Sequence, residues 1–194
     1  EEIVSGALPS LAPASLPRAE QFSYYKELAS RYDLRVTGLT VIGLRGLAPD
    51  GVRHASEDNA TPYDDTFVVL NPGRKNSIEL LGSTHAGQLV SSLSPAGVAQ
   101  IKPGRYVAHP AGLFAGMDCW LVTTRGGSQE IPCLRDQNGN GFIDPAEARS
   151  PSIATEILFH NGRYDAYGSS IGCQVLPPWN METFINRLGP STVF

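Results

Sequence analysis

The chain is short of cysteine, of net charge and of long apolar runs, and each shortage narrows what it can be. Lys and Arg total 15 against 19 Asp and Glu, a formal net charge of −4. No stretch gathers the basic residues, so the electrostatic footprint of a nucleic-acid or anionic-membrane binder is missing and no nucleic-acid partner is expected. No apolar run approaches the ~18 residues of a membrane span, so no spanning segment is expected. There is no internal repeat and no low-complexity tract. What is present is a globular balance: hydrophobic residues make 41% and charged residues 18% of 194 residues, enough for one domain with a full core. The chain opens on Glu1, which is compatible with removal of a signal peptide or leader.

Twenty glycines and fifteen prolines punctuate the sequence. They cut it into short strand-like segments and favour a mostly β fold, a sheet or sandwich, with one helix near each end. Residues 1–34 read as an extended arm, broken by Pro9, Pro13 and Pro17, followed by an amphipathic helix. Phe22, Tyr25, Leu28, Ala29 and Tyr32 recur there at helical spacing from Arg18 to Tyr32. Residues 35–194 form the body. Strands are expected at Val36–Leu44, Thr66–Leu70, Ile78–Leu81, Leu89–Val90 and Arg105–His109, with a loop over Ala48–Pro62. A closing helix is expected from Trp179 to Leu188, capped by Asn180.

The three cysteines divide unevenly. Cys119 in DCWLV and Cys133 in EIPCLR lie in apolar segments separated by the turn-like Arg125–Ser128. As antiparallel neighbours they would form either a disulfide or two reduced core thiols; a disulfide would indicate an oxidising compartment. Either way Cys173 is the odd thiol.

Cys173 also has a histidine nearby. In ILFHNGRYDAYGSSIGCQVLPP, the run Ile157–Phe159 reads as a buried strand delivering His160 at its end. Gly168–Ser170 reads as a turn and Cys173–Leu176 as the next strand. Adjacent strand ends would then carry base and nucleophile to one sheet edge. A thiol beside an imidazole is the most readily activated nucleophile among ordinary side chains. The bland reading is a core cysteine beside a satisfied histidine.

The pattern Ser170-Ile171-Gly172-Cys173, with His160 and Gly162 upstream, resembles the signature of the L,D-transpeptidase (YkuD-type) catalytic domain. The chain departs from that pattern in three places: Asn161 separates His160 from Gly162, Ile171 replaces a frequent histidine, and Gln174 follows the cysteine. It therefore resembles a divergent member. VIGLRG, YDDTFVVL, IKPGRYVAH and CWLV extend a weaker likeness over residues 35–188, and Pro103-Gly104-Arg105-Tyr106 resembles the strand beside the active site of such enzymes. The resemblance implies a cysteine acyl-transfer enzyme acting on peptidoglycan stem peptides in the periplasm or outside the cell, as L,D-transpeptidase or L,D-carboxypeptidase. It implies Cys173 as nucleophile, His160 as base, a carbonyl near Gly162 orienting the imidazole, and oxyanion donors at Gly172 and Cys173. Ser170 would bond within the turn, while Arg105, Tyr106 and Gln174 would meet substrate. Order along the chain excludes papain-like enzymes, in which Cys precedes His. The alternatives are a calcium-stabilised binding module of the same fold without turnover, or an antibacterial effector with the same chemistry. A monomer is expected.

A second motif matches a calcium loop position for position. Asp136, Asn138, Asn140, the Phe142 carbonyl, Asp144 and Glu147 occupy ligand positions one, three, five, seven, nine and twelve, with Gly141 at six and Ile143 turned inward. The flanks look like strand rather than helix, so a single structural Ca2+ site is expected; the alternative is a solvated polar turn. His54, His85, His109 and Arg163 read as ordinary loop residues.

Overall fold

A computed structural model describes residues 9–87, 94–163 and 170–194. The chain is mostly β, with a helix near each end, as its punctuation suggests. Helix α1 (Arg18–Arg31) precedes β1 (Thr40–Leu44), β2 (Asp65–Asn71) and β3 (Asn76–Gly82), an antiparallel sheet in the order β1-β2-β3. Then come β4 (Val98–Ile101), β5 (Tyr106–Phe114), β6 (Met117–Thr124) and β7 (Ile131–Asp136). After the four-residue helix α2 (Pro145–Ala148) follow β8 (Ser152–Ala154), β9 (Leu158–Asn161), β10 (Gln174–Leu176) and α3 (Pro178–Leu188). The second sheet has the order β10-β9-β6-β5 and the third β4-β7-β8.

β2 carries the core. Every residue from Asp65 to Leu70 is buried. Strand alternation sends Val68 and Leu70 toward α1, where they meet Phe22, Tyr25 and Leu28, and Phe67 and Val69 toward the second sheet. There Phe67 packs edge-on to Phe159, which stacks on Phe184 of α3 at 4.6 Å between ring centroids. The N-terminal helix thus shares a core with β2.

Several expectations shift. The first strand begins at Thr40, not Val36, and α3 starts behind Pro177, so Asn180 lies in its first turn and donates to the Leu81 carbonyl instead of capping. β4 and β8 are additional strands. β6 and β7 are not neighbours but belong to different sheets, so Cys119 and Cys133 cannot cross-link as antiparallel partners; all three cysteines are free thiols. The segment Leu89–Val90, with Gly168 and Ser169 of the expected turn, lies outside the described residues.

The strand that follows Cys173 is held on both sides. β10 pairs with β9 in parallel, with Val175 opposite His160. On its other side Val175 exchanges both backbone hydrogen bonds with Ser83, at 2.8 and 2.9 Å, which ties the second sheet to the first. Just before it, Gly172 sits at φ 148° against Ala99 of β4, where an added Cβ would come within 2.8 Å of the alanine methyl. Glycine is required there by both space and backbone. Gly172→Ala should cost roughly 1–3 kcal/mol in urea unfolding. Adding Ala99→Gly should recover the steric part only; full recovery would mean the backbone angle carries no strain.

Candidate active site

His160 lies inside β9, 1% exposed, and its Nδ1 lies 2.6 Å from the Asn161 carbonyl. A carbonyl only accepts, so Nδ1 carries the hydrogen and Nε2 is left with its lone pair. The orienting carbonyl is therefore that of Asn161. Gly162, expected near that role, instead donates its N–H to the Leu176 carbonyl and extends the β9–β10 ladder. Burial holds the His160 pKa below its ordinary value, partly offset by that carbonyl, so the ring is neutral at neutral pH. The exposed Phe114 ring covers it, centroid to centroid 4.3 Å, where the β5–β6 hairpin bends after the irregularity between Pro110 and Gly112.

Cys173 precedes β10 by one residue. Because Val175 is opposite His160, strand alternation puts Cys173 on the same sheet face, two positions along. Strand spacing and rise make that roughly 8 Å between α-carbons. The thiol is half-buried; its Sγ accepts from the Leu158 N–H at 3.3 Å and lies 4.0 Å from the Glu156 carbonyl. No hydrogen bond joins it to His160 among the described residues. Burial pushes the Cys173 thiol up, against the lowering effect of the Leu158 and Ser170 contacts. The resting pair is a neutral thiol and a neutral imidazole. It suits general-base attack rather than a preformed thiolate–imidazolium pair.

Ser170 holds the turn as expected: its Oγ accepts from the Gly172 N–H at 2.9 Å and lies 3.2 Å from the Cys173 carbonyl. That uses the Gly172 hydrogen, so Gly172 does not serve as an oxyanion donor in this arrangement. The Cys173 N–H has no acceptor among the described residues and remains the better candidate.

The expected substrate contacts lie elsewhere. Gln174 faces the opposite side of the sheet and donates to the Thr84 carbonyl at 3.2 Å. Arg105 is ion-paired with Asp33 at 2.6 Å, and the Tyr106 hydroxyl donates to the Lys102 carbonyl. All three line one cavity that neither Cys173 nor His160 reaches.

A charged cluster missed by sequence reading stands at the end of β3. His85, fully buried, donates from Nε2 to Asp64 at 2.9 Å while its Nδ1 accepts the Gly87 N–H. Asp65 accepts from Gly46 N–H, Thr84 N–H and the Thr84 hydroxyl. His54 sits between the two acids, 3.3 Å from Asp64 and 3.4 Å from Asp65. Among the described residues His54, Asp64 and Asp65 are the one trio of His, Cys, Asp or Glu ligand atoms within 4.8 Å of one another. With Asp65 engaged by N–H and O–H donors, the trio is better described as an ion-paired lock than as a metal centre. The Asp65 carboxylate, with the Asp64 charge assisting against burial, pushes His54 up to about 9.

The acidic loop folds as its pattern requires. Asp136 accepts the N–H groups of Gly139, Asn140 and Gly141. Asn138 and Asn140 each accept the N–H two residues on, which turns the oxygens of positions one, three and five into the loop. Glu147 crosses to the N–H groups of Gln137, Asn138 and Asp144, and Ile143 is buried. Asp144 takes the side-chain amides of Asn138 and Asn140. The residue types are those of an oxygen-liganded cation site, but the carboxylates of Asp136, Asp144 and Glu147 are not gathered within 4.8 Å of one another, and those of Asp136 and Glu147 are engaged by backbone N–H groups.

No family model, curated protein or solved structure matches the chain.

The His54 lock has a pH signature. A raised folded pKa gives stabilisation that is full below the ordinary value of 6.5 and is lost as pH rises through about 9. The melting temperature should therefore decline across that window; the three thiols, all pushed up by burial, add to the decline only as pH approaches their ordinary value of 9, where the unfolded chain ionises first. His54→Gln should flatten the decline; an unchanged slope would remove His54 as its source.

Proposed function

We propose that the chain is a cysteine acyl-transfer enzyme acting on peptidoglycan stem peptides, as an L,D-transpeptidase or, with water as acceptor, an L,D-carboxypeptidase. The observation that carries this reading is the fixed tautomer of His160. Its Nδ1–H is committed to the Asn161 carbonyl, and the unprotonated Nε2 belongs to the strand beside the one that Cys173 leads into. The likeness of Ser170–Cys173 to the YkuD-type signature adds the substrate class, and with it a periplasmic or extracellular location. Among the described residues no helix is long and apolar enough to cross a membrane.

The thiol gives its proton to Nε2 as Sγ attacks the carbonyl of an L-to-D peptide bond. The bond to the departing amine breaks, the amine takes the proton from the imidazolium, and a Cys173 thioester remains. Water or a second amine then attacks the thioester, again with His160 as base, and restores the thiol. The Cys173 N–H donates to the oxyanion at each stage in this proposal. A half-buried, neutral thiol without a bond to His160 favours one second reading, a binding module of the same fold without turnover.

Incubation with muropeptides and mass analysis of the products separates the two. The chain should release a terminal D-residue or form cross-linked dimers. Cys173→Ala should lose nearly all of this while melting normally. Products unchanged in the variant would overturn the assignment.

We assign Ca2+ to the loop Asp136–Glu147, held by Asp136, Asn138, Asn140, the Phe142 carbonyl, Asp144 and Glu147, as a structural ion just upstream of the strand carrying His160. An ion bound only by the folded chain adds RT ln(1 + [Ca]/Kd), about 2.7 kcal/mol at a hundred times Kd. Melting should rise with calcium and fall with chelator, and Glu147→Gln should remove most of the difference. Superimposable curves in both conditions would reduce the loop to a polar turn.

A further inference from the structure

We propose that the cavity between the first and second sheets is a binding site for a small carboxylic acid with an apolar or aromatic body. The cavity is about 270 Å³, at the small end of ligand pockets. Val41, Phe67, Val122 and Phe159 give the lining its apolar part, and Arg45 and Gln174 are among its polar members. This is the face of the second sheet opposite His160, so the site stands independently of the acyl-transfer reading.

Arg45 identifies the ligand chemistry. Its guanidinium has five N–H donors in a planar fork. Nε donates to the Thr84 hydroxyl at 2.8 Å, one Nη1 hydrogen to the Ile101 carbonyl at 3.0 Å and one Nη2 hydrogen to the Thr84 carbonyl at 2.6 Å. One hydrogen on each terminal nitrogen has no acceptor among the described residues. The group lines the cavity, yet no carboxylate lies within ion-pair distance of it among those residues. Asp65 is reached only through the Thr84 hydroxyl, which donates to it at 2.7 Å. Burial lowers the guanidinium pKa, and Asp65 offsets this only in part. A carboxylate accepts from spare guanidinium N–H groups better than water or a neutral amide does. Gln174 spends one amide hydrogen on the Thr84 carbonyl and keeps a second donor beside the guanidinium. Of the other cations in the lining, Arg105 is committed to Asp33, while Lys102 makes no ion pair among the described residues and adds positive potential.

Calorimetric titration of the full chain with 4-phenylbutyrate and with its neutral amide, 4-phenylbutyramide, tests the site. The acid should bind, and the amide should bind weaker by about tenfold or more, because only the acid pairs with the guanidinium. Val41→Phe, which fills the cavity and leaves every polar group in place, should abolish binding of both. Arg45→Gln should weaken the acid toward the amide. Cys173→Ala should change neither, so a failed acyl-transfer reading leaves this result intact. No binding of the acid at millimolar concentration would overturn the site. So would equal affinity for acid and amide, or binding that survives Val41→Phe, whatever happens to the folding of the Arg45 variant.

Discussion

The buried carboxylate of Asp65 is the constraint on which the arrangement depends. Burial alone would push its pKa up; hydrogen bonds from His54 and Thr84 reverse that and hold the group below the usual carboxylate range. Its two oxygens take N–H groups from Gly46 and Thr84 and the Thr84 hydroxyl. Thr84 in turn offers its oxygens to Arg45 and Gln174. One anion thereby fixes the end of β1, the start of β2, the chain beyond β3 and, through Gln174 and the Ser83–Val175 pair, the strand that begins beside Cys173. An ionised group with no access to water tolerates few rearrangements, because each broken bond leaves a buried charge short of a partner. The position of Cys173, the proposed nucleophile, is inherited from that rigidity.

The second sheet uses its two faces for different purposes. One carries Phe159, Trp120 and Val122 toward the core and, beside Gln174, toward the cavity. The other carries His160 under the Phe114 ring, with Cys173 two positions along the neighbouring strand. Both catalytic candidates rest neutral because burial disfavours the charged form of each, lowering the histidine and raising the thiol. In the proposed reaction a proton crosses to Nε2 during attack, which would place the demand for charge stabilisation on the oxyanion donor and on a substrate that excludes water.

Much of the fold was legible because short-range signals coincide with it. The aromatic spacing from Phe22 to Leu28 marks a helix, the run Phe67–Leu70 marks a buried strand, and the acidic loop announces its own turn. The N-cap at Asn180 failed because Pro177 and Pro178 already preset the backbone at the helix entry. The pairing of β6 with β7 failed because sequence proximity does not choose strand partners; β9, whose Leu158 pairs with Leu121 from thirty-seven residues further along, takes the place beside β6. At the site, the Ser-x-Gly-Cys segment and His160 stood out because they are close in sequence. Gly172 was read as an oxyanion donor when its local reason is the Ala99 methyl and the Ser170 hydroxyl. The lock of His54, Asp64, Asp65 and His85 draws on the loop before β2, the start of β2 and the turn after β3, segments that no local pattern joins. Its one visible signal was an ionisable residue, Asp65, opening an otherwise apolar strand. Arg45 was likewise hidden, its role set by Thr84 and Ile101 from distant segments.

In the proposed reaction Cys173 forms a thioester with His160 as its base. Intact-mass spectrometry after brief exposure to a stem tetrapeptide, quenched in acid to preserve the ester, reads this directly. An adduct equal to the acyl fragment should map to Cys173 and to neither Cys119 nor Cys133. It should fall sharply in His160→Gln. An adduct on another residue, or one that forms equally well without the imidazole, would contradict the account.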